Sequence, residues 1–150
     1  EETSKPLWTV DWYAHGVDVA SDGVHIIRGG PWPYLPSDRP APTDEALATE
    51  AVSFFASGRL VRTYSIGELV DRPDRLPRSV SHFLWIREAN FDDERLEYTL
   101  ATHDGNRFVF DARTGAIISR SRVGLATWWG WWVIGGVGTL AAGALLGLGL

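Results

Sequence analysis

The pattern of apolar and polar residues divides the chain at Arg122. Before this residue, short apolar segments alternate with polar ones, whereas residues 123–150 contain no Asp, Glu, Lys, Arg or His. An α-helix rises about 1.5 Å per residue, so this run is long enough to cross a hydrocarbon core of about 30 Å. We therefore predict a single transmembrane helix over 123–150. A buried helix of a soluble protein, the alternative, rarely needs so long an uncharged run.

Four tryptophans lie close together near the start of this run: Trp128, Trp129, Trp131 and Trp132. The indole ring is apolar but carries an N–H donor, so tryptophan favours the boundary between lipid and water. We predict that the cluster anchors the helix at this interface. Contact of the same cluster with a pigment, a quinone or a lipid headgroup is the alternative reading.

Small residues recur at every fourth position of the predicted membrane helix, at Gly135, Thr139, Gly143 and Gly147. Residues spaced by four lie on one face of a helix, and a face of small residues lets a second membrane helix approach closely. We therefore expect other transmembrane subunits as partners. Chance spacing among the many glycines of the tail is the alternative.

The pattern of residues 1–42 predicts strands separated by turns, followed by a connector. Residues 7–13 have the aromatic and β-branched composition of a strand, and the segments 17–20 and 24–28 flank Asp22-Gly23, a hairpin signal. Residues 1–30 are therefore predicted as an N-terminal hairpin region. Residues 31–42 contain five prolines, which lack an N–H donor and predict an extended connector.

A helix is predicted over residues 44–57. Thr43 is a suitable N-cap, and Asp44 and Glu45 would place negative charge in the first turn. Gly58 is a natural stop after the last turn. The apolar stripe of this helix would be formed at helical spacing by Leu47, Ala51, Phe54 and Phe55.

The rest of the soluble part predicts a meander of antiparallel strands. A loop over 66–77, with a short helical turn at 68–71, would follow the first of these strands, and turns are predicted at 90–94, 103–106 and 112–115. One helix against antiparallel strands buries a single core economically. The predicted fold class is α+β, an antiparallel sheet or meander with one main helix, followed by one C-terminal transmembrane helix. The strands are predicted at 59–65, 80–88, 96–102, 107–111 and 116–120.

Composition argues against several classes of function. The net charge of −5 disfavours nucleic acid as a partner, and the absence of cysteine excludes thiolate chemistry. The three acidic residues at 92–94 lack the ligand spacing of a calcium loop and predict a solvated turn. The histidines are not spaced as the ligands of a metal site are. We therefore expect that the protein is not an enzyme and that it binds no cofactor or metal. These histidines are His15, His25, His82 and His103.

One segment resembles a known family. In residues 96–120, an aromatic strand ends in the turn Asp111-x-x-Thr114-Gly115 and an apolar strand follows, which resembles the C-terminal strands of a PepSY-type domain. The aspartate of such a turn can accept backbone N–H bonds, and its glycine can take positive φ. The resemblance extends over 43–122 if the helix at 44–57 is included. It implies a relation to protease propeptide inhibitors, sensor modules and parts of membrane reductases.

Together these features predict a non-catalytic accessory subunit of a larger membrane complex, with respiratory and photosynthetic complexes as candidates. A PepSY-like peptidase inhibitor or extracytoplasmic sensor is the alternative. Arginines before the tail favour a cytoplasmic domain by the positive-inside rule. Initiator Met is normally trimmed only before small residues, and the chain begins with Glu1, so we expect the chain to be either a fragment or the product of signal-segment removal. Removal of a signal segment would favour the periplasm. We expect a single-pass protein with an extracytoplasmic domain.

Overall fold

The structure, a computed structural model, describes residues 5–33 and 41–122. Its strands form two four-stranded antiparallel sheets, and within each sheet the strands follow one another in chain order. The first sheet contains β1 (Val17–Val19), β2 (His25–Gly29), β3 (Glu50–Ala56) and β4 (Arg59–Ser65). The second contains β5 (Ile86–Asp92), β6 (Glu97–Thr102), β7 (Asn106–Asp111) and β8 (Ile117–Arg122).

Helices are few and short in the described residues. Helix α1 (Asp44–Ala48) precedes β3, helix α2 (Ile66–Leu69) follows β4, and a 3-10 turn (Pro73–Arg75) leads towards the second sheet. Antiparallel sheets with a minor helical part confirm the predicted sheet-rich α+β character. None of these helices has the length and apolarity needed to cross a bilayer.

The two sheets share one hydrophobic core. Phe54 and Tyr64 of the first sheet meet Phe110 of the second, with ring centroids 5.3 and 5.2 Å from Phe110. Along β7, Asn106, Phe108 and Phe110 are buried, while the residues between them are more exposed. This period of two directs one face of the second sheet towards the first. The molecule therefore buries its apolar area between sheets.

The predicted hairpin at the N-terminus is confirmed. Asp22 lies in the turn between β1 and β2 and accepts hydrogen bonds from the backbone N–H groups of Val24 (2.7 Å) and His25 (3.0 Å). Its other oxygen contacts the His25 ring, a hydrogen bond that is the main cause lowering the pKa of Asp22 to about 2. Gly23 supplies the positive φ of +69° that the turn requires.

The predicted helix over 44–57 is wrong beyond its first turn. Thr43 does cap α1 by accepting a bond from the N–H of Ala46 (3.2 Å), but the helix ends at Ala48 and β3 begins at Glu50. The five central residues of β3 are all buried, because this strand is covered on both faces. A short, continuously apolar segment fits a buried strand as well as a helical stripe, so periodicity alone could not separate them.

The predicted strand over 7–13 is also wrong, because this segment has no regular secondary structure. It instead lies against the first sheet, where the Trp12 ring contacts the Phe55 ring at 4.9 Å between centroids. The Trp8 indole N–H donates to the carbonyl oxygen of Gly23 (2.8 Å). Trp8, Val10 and Trp12 are therefore partly buried without joining the backbone ladder, while Leu7 and Tyr13 remain exposed.

The remaining predicted elements fit the structure with shifted bounds. Predicted strand 80–88 begins only at Ile86 and continues to Asp92, so the turn predicted at 90–94 comes later. The predicted helical turn is α2, and the strands at 59–65, 96–102, 107–111 and 116–120 correspond to β4, β6, β7 and β8. The predicted transmembrane helix lies outside the described residues, as do the glycine stripe and the tryptophan cluster.

Candidate functional site

The second sheet has two ends of different character. At one end β8 finishes at Arg122, which lies opposite Asn106, and β5 begins at Ile86, opposite Thr102. We call this the tail end, because the uncharged run begins at residue 123; it comprises 84–87, 102–107 and 120–122. The other end, the far end, comprises 91–97 and 110–117.

Asp71, just after α2, holds the last strand at the tail end. Its two carboxylate oxygens accept bonds from Arg120 Nη2 (2.5 Å) and Arg122 Nη2 (2.9 Å). The bond from Arg120, followed by that from Arg122, lowers the pKa of Asp71 to about 2. The guanidinium of Arg120 also lies over the ring of Phe108, 5.2 Å from its centroid. Strand β8 is thus held to the rest of the domain up to its final residue.

A second polar contact joins the tail end to the segment after α2. The Asp104 carboxylate accepts bonds from the backbone N–H groups of Asp71 (2.8 Å) and Arg72 (3.0 Å), and the Thr102 hydroxyl donates to it. The buried Asn106 side chain donates to the carbonyl oxygen of Leu69 (3.0 Å). These bonds fasten the turn between β6 and β7 to the end of α2.

Arginine dominates the charge of the tail end and of the segment 71–78 attached to it. Three aspartates, Asp71, Asp74 and Asp104, face a larger set of arginines. Burial, and then the positive charge of Arg87, lowers the pKa of His103 at this end. The arginines are Arg72, Arg75, Arg78, Arg87, Arg107, Arg120 and Arg122; within the described residues only the last two form ion pairs.

At the far end, acidic residues outnumber arginines. Arg95 and Arg113 lie there among five acidic residues, and each is 4.0 Å from one of them. Asp93 accepts a hydrogen bond from the backbone N–H of Ser21 (2.8 Å), which ties the first hairpin to this end. The acidic residues are Asp92, Asp93, Glu94, Glu97 and Asp111.

The family-motif residues form one turn at the far end. Asp111 Oδ1 accepts bonds from the N–H groups of Arg113 (2.7 Å) and Thr114 (3.1 Å), and Thr114 Oγ1 accepts one from Ala116 (3.2 Å). Gly115 adopts a φ of +66°. The local roles expected of the aspartate and the glycine are therefore confirmed.

The same turn packs closely against the first sheet. A Cβ atom on Gly115 would lie 2.7 Å from Arg62 Cβ and 3.0 Å from Phe54 Cδ2. The Tyr64 hydroxyl donates to the carbonyl oxygen of Gly115 (2.7 Å). Asp111 and Thr114 thus hold the shape of the turn, and Gly115 joins this turn to the first sheet.

A cavity of about 410 Å³ lies beside the start of β5. The cavity is lined by the N-terminal segment, the start of the connector and the loop before β5. Because these three segments are far apart along the chain, the sequence does not predict that they meet. His82 Nδ1 is 2.8 Å from Ser81 Oγ beside the cavity. Among the described residues no group of three potential ligands could hold a metal. The lining residues are His15, Pro31, Trp32, Ser79, His82 and Leu84.

Comparison of the chain with protein-family models, with curated proteins and with solved structures gives no match.

Proposed function

We propose that this protein is a non-catalytic, membrane-anchored accessory subunit of a larger membrane complex. Its C-terminal segment would cross the bilayer once, and its two-sheet domain would brace partner subunits on the extracytoplasmic side. Respiratory and photosynthetic complexes are the candidate assemblies. The proposal concerns binding and positioning, and it requires neither a cofactor nor a reacting group.

The fastening of β8 is the observation that carries this proposal. Arg120 and Arg122 are held by Asp71, and the uncharged run starts at the next residue, Val123. A domain joined to a membrane segment by a long flexible linker would have little control over its own position. Here the described chain is paired in a sheet up to residue 122. That arrangement favours a domain that keeps a defined place relative to its anchor.

The composition of the tail supports a helical partner. Gly135, Thr139, Gly143 and Gly147 would present one face of small residues, and membrane helices associate through such faces by close packing. The four tryptophans at 128–132 would lie at the interface beside the domain. A contact of these tryptophans with a pigment, a quinone or a lipid headgroup fits the same placement.

Purification of the full chain from its native membranes in mild detergent tests the proposal. We expect the wild-type chain to co-purify with other transmembrane proteins and Gly143→Leu with Gly147→Leu to release it, because leucine would hold the helices apart. Ala141→Leu with Gly149→Leu adds similar bulk on the opposite face and should leave the complex intact. Loss of partners in both double variants, or in neither, would count against the proposed face.

The alternative proposal is a PepSY-like peptidase inhibitor or extracytoplasmic sensor, and the motif turn at 111–115 is the feature that suggests it. The same purification separates the two proposals. A peptidase or a peptide as the main co-purifying partner would favour the inhibitor or sensor. A set of transmembrane subunits would favour the accessory role.

A further inference from the structure

We propose that the tail end of the second sheet docks on anionic phospholipid headgroups. This inference rests on the proposed membrane anchor and specifies what the domain contacts beside it. The tail end, with the attached segment 71–78, forms a surface that we call the arginine surface. Its members are Arg72, Arg75, Arg78, Arg87, Arg107, Arg120 and Arg122.

Contacts along the chain place Arg72, Arg87 and Arg107 at the same end of the domain as the last residues of β8, and Arg75 and Arg78 belong to the segment that follows Arg72. The backbone N–H of Arg72 donates to Asp104 in the turn between β6 and β7, and Arg107 follows that turn directly, opposite Ser121 of β8. Arg87, one residue after the start of β5, is near enough to His103 to lower its pKa. Neighbouring strands are about 4.8 Å apart, so this edge of a four-stranded sheet spans about 15 Å.

Five of these arginines have their charge available for a partner. Arg75, Arg78, Arg87 and Arg107 are exposed and Arg72 is half-buried, and none of the five forms an ion pair within the described residues. The two that are paired share a single carboxylate, that of Asp71. The surface therefore keeps an excess of positive charge although the whole chain has a net charge of −5.

The position of this surface identifies its partner. The run that begins at Val123 would place the tail end nearest the bilayer, where a leaflet that contains anionic lipids attracts basic residues held close to its surface. The planar guanidinium of arginine donates paired hydrogen bonds to phosphate oxygens. The far end, with five acidic residues, would point away from the same leaflet. Attraction at the tail end and repulsion at the far end would both hold the domain with its tail end towards the bilayer and its far end away from it.

A labelled full-length chain in vesicles tests this docking. The chain has no cysteine, so one introduced thiol gives one labelled site. Val80→Cys reports on the arginine surface because Val80 is 96% exposed and lies between Arg78 and β5. Ser21→Cys reports on the far end, where the Ser21 N–H is bonded to Asp93. Energy transfer from each label to an acceptor on the lipid headgroup measures its distance from the bilayer.

We expect the Val80 label to lie closer to the surface of vesicles that contain phosphatidylglycerol than to that of pure phosphatidylcholine. The Ser21 label should not approach in either case. Each arginine near an anionic surface strengthens association about fivefold, so Arg72→Gln, Arg75→Gln and Arg107→Gln together should weaken docking about a hundredfold. Arg95→Gln with Arg113→Gln at the far end is the matched control and should leave docking unchanged.

Equal distances on both kinds of vesicle, or docking that survives the triple substitution, would overturn the proposal. Docking that appears only with a co-purified acidic protein, independently of the lipid, would assign the arginine surface to that protein and overturn it as well. Resistance of the chain to alkaline carbonate extraction is measured on the same vesicles. An extractable chain would contradict the membrane anchor itself, so the two failures are distinguishable.

Discussion

The two ends of the second sheet are closed by different kinds of contact. At the far end the turn that contains Gly115 lies so close to Phe54 and Arg62 that there is no room for a side chain. At the tail end, Asp71 and Asp104 bridge segments through hydrogen bonds and ion pairs. The far end is therefore sensitive to added volume, whereas the tail end should respond to pH, salt and the loss of a single acceptor.

This difference fits the proposed docking, in which the far end stays rigid and the tail end faces a charged surface. Close steric packing does not depend on the solvent, since dispersion and excluded volume are hardly changed by ions. Polar contacts at a half-exposed site are screened and can exchange with water or phosphate. Three substitutions test the contrast, and their expected effects decrease from the far end to the tail end.

Gly115→Ala should have the largest effect. The added methyl group meets Arg62 Cβ and Phe54 at short distance, and the φ of +66° is unfavourable for alanine. Strain of the backbone and overpacking together should lower the free energy of unfolding by about 3 kcal/mol. Urea unfolding of the full chain in detergent measures this change.

Gly23→Ala is the control for this substitution. Gly23 has a similar φ of +69°, but the atom near its added Cβ is only the end of the exposed Leu7 side chain, at 3.0 Å. Backbone strain alone should cost about 1 kcal/mol. If both variants lose the same stability, close packing is not what distinguishes the far end.

Asp104→Ala should have an intermediate effect at the tail end. It removes the acceptor of the N–H groups of Asp71 and Arg72 and of the Thr102 hydroxyl. Leaving partly buried donors without an acceptor costs about 1–3 kcal/mol, and water access at this half-buried site favours the lower part of that range. The measurement is the shift of the urea midpoint. Asp104→Asn keeps one acceptor oxygen and should lose less, so an equal loss in the two variants would contradict an acceptor role.

Asp71→Asn should have the smallest effect and the clearest pH dependence. At neutral pH it removes two partly exposed ion pairs, and the loss should be about 0.5–1 kcal/mol. The pKa of Asp71 is lowered to about 2 from its ordinary value of 3.8, so its carboxylate stabilises the fold above the ordinary value. This stabilisation disappears as pH falls through about 2.

Unfolding of the wild type and of Asp71→Asn at a series of pH values measures this dependence. The difference between them should shrink across the acid range and should also shrink when salt is added at neutral pH. A difference that is constant with pH and salt would show that Asp71 acts through packing and not through charge.

The sequence was informative where structure is decided locally. Asp22-Gly23 and Asp111-x-x-Thr114-Gly115 are turns whose side chains bond to their own backbone within three residues, so their composition was enough to predict them. The antiparallel meander followed from the alternation in β6 and β7. These elements need no information about distant partners.

The sequence failed where burial by distant segments decides the outcome. The apolar residues at 50–56 have the spacing of a helical stripe, but they form β3 because distant segments cover both faces of this strand. The bonds from Arg120 and Arg122 to Asp71 join residues 49 and 51 positions apart, and the cavity beside β5 collects three segments. No spacing rule along the chain relates such residues, so the tail end could not be predicted as a site.

The N-terminal segment over the first sheet has a consequence for the order of folding. Trp12 packs on Phe55, and the guanidinium of Arg28 lies over both rings, so Trp12 cannot reach its packed position until β3 has been synthesised. Residues 7–13 are therefore synthesised before the strand on which Trp12 packs, and we expect them to settle only after β3 has joined the sheet. Until β3 is complete, we expect the Trp12 ring to be exposed to solvent and open to contact with other proteins.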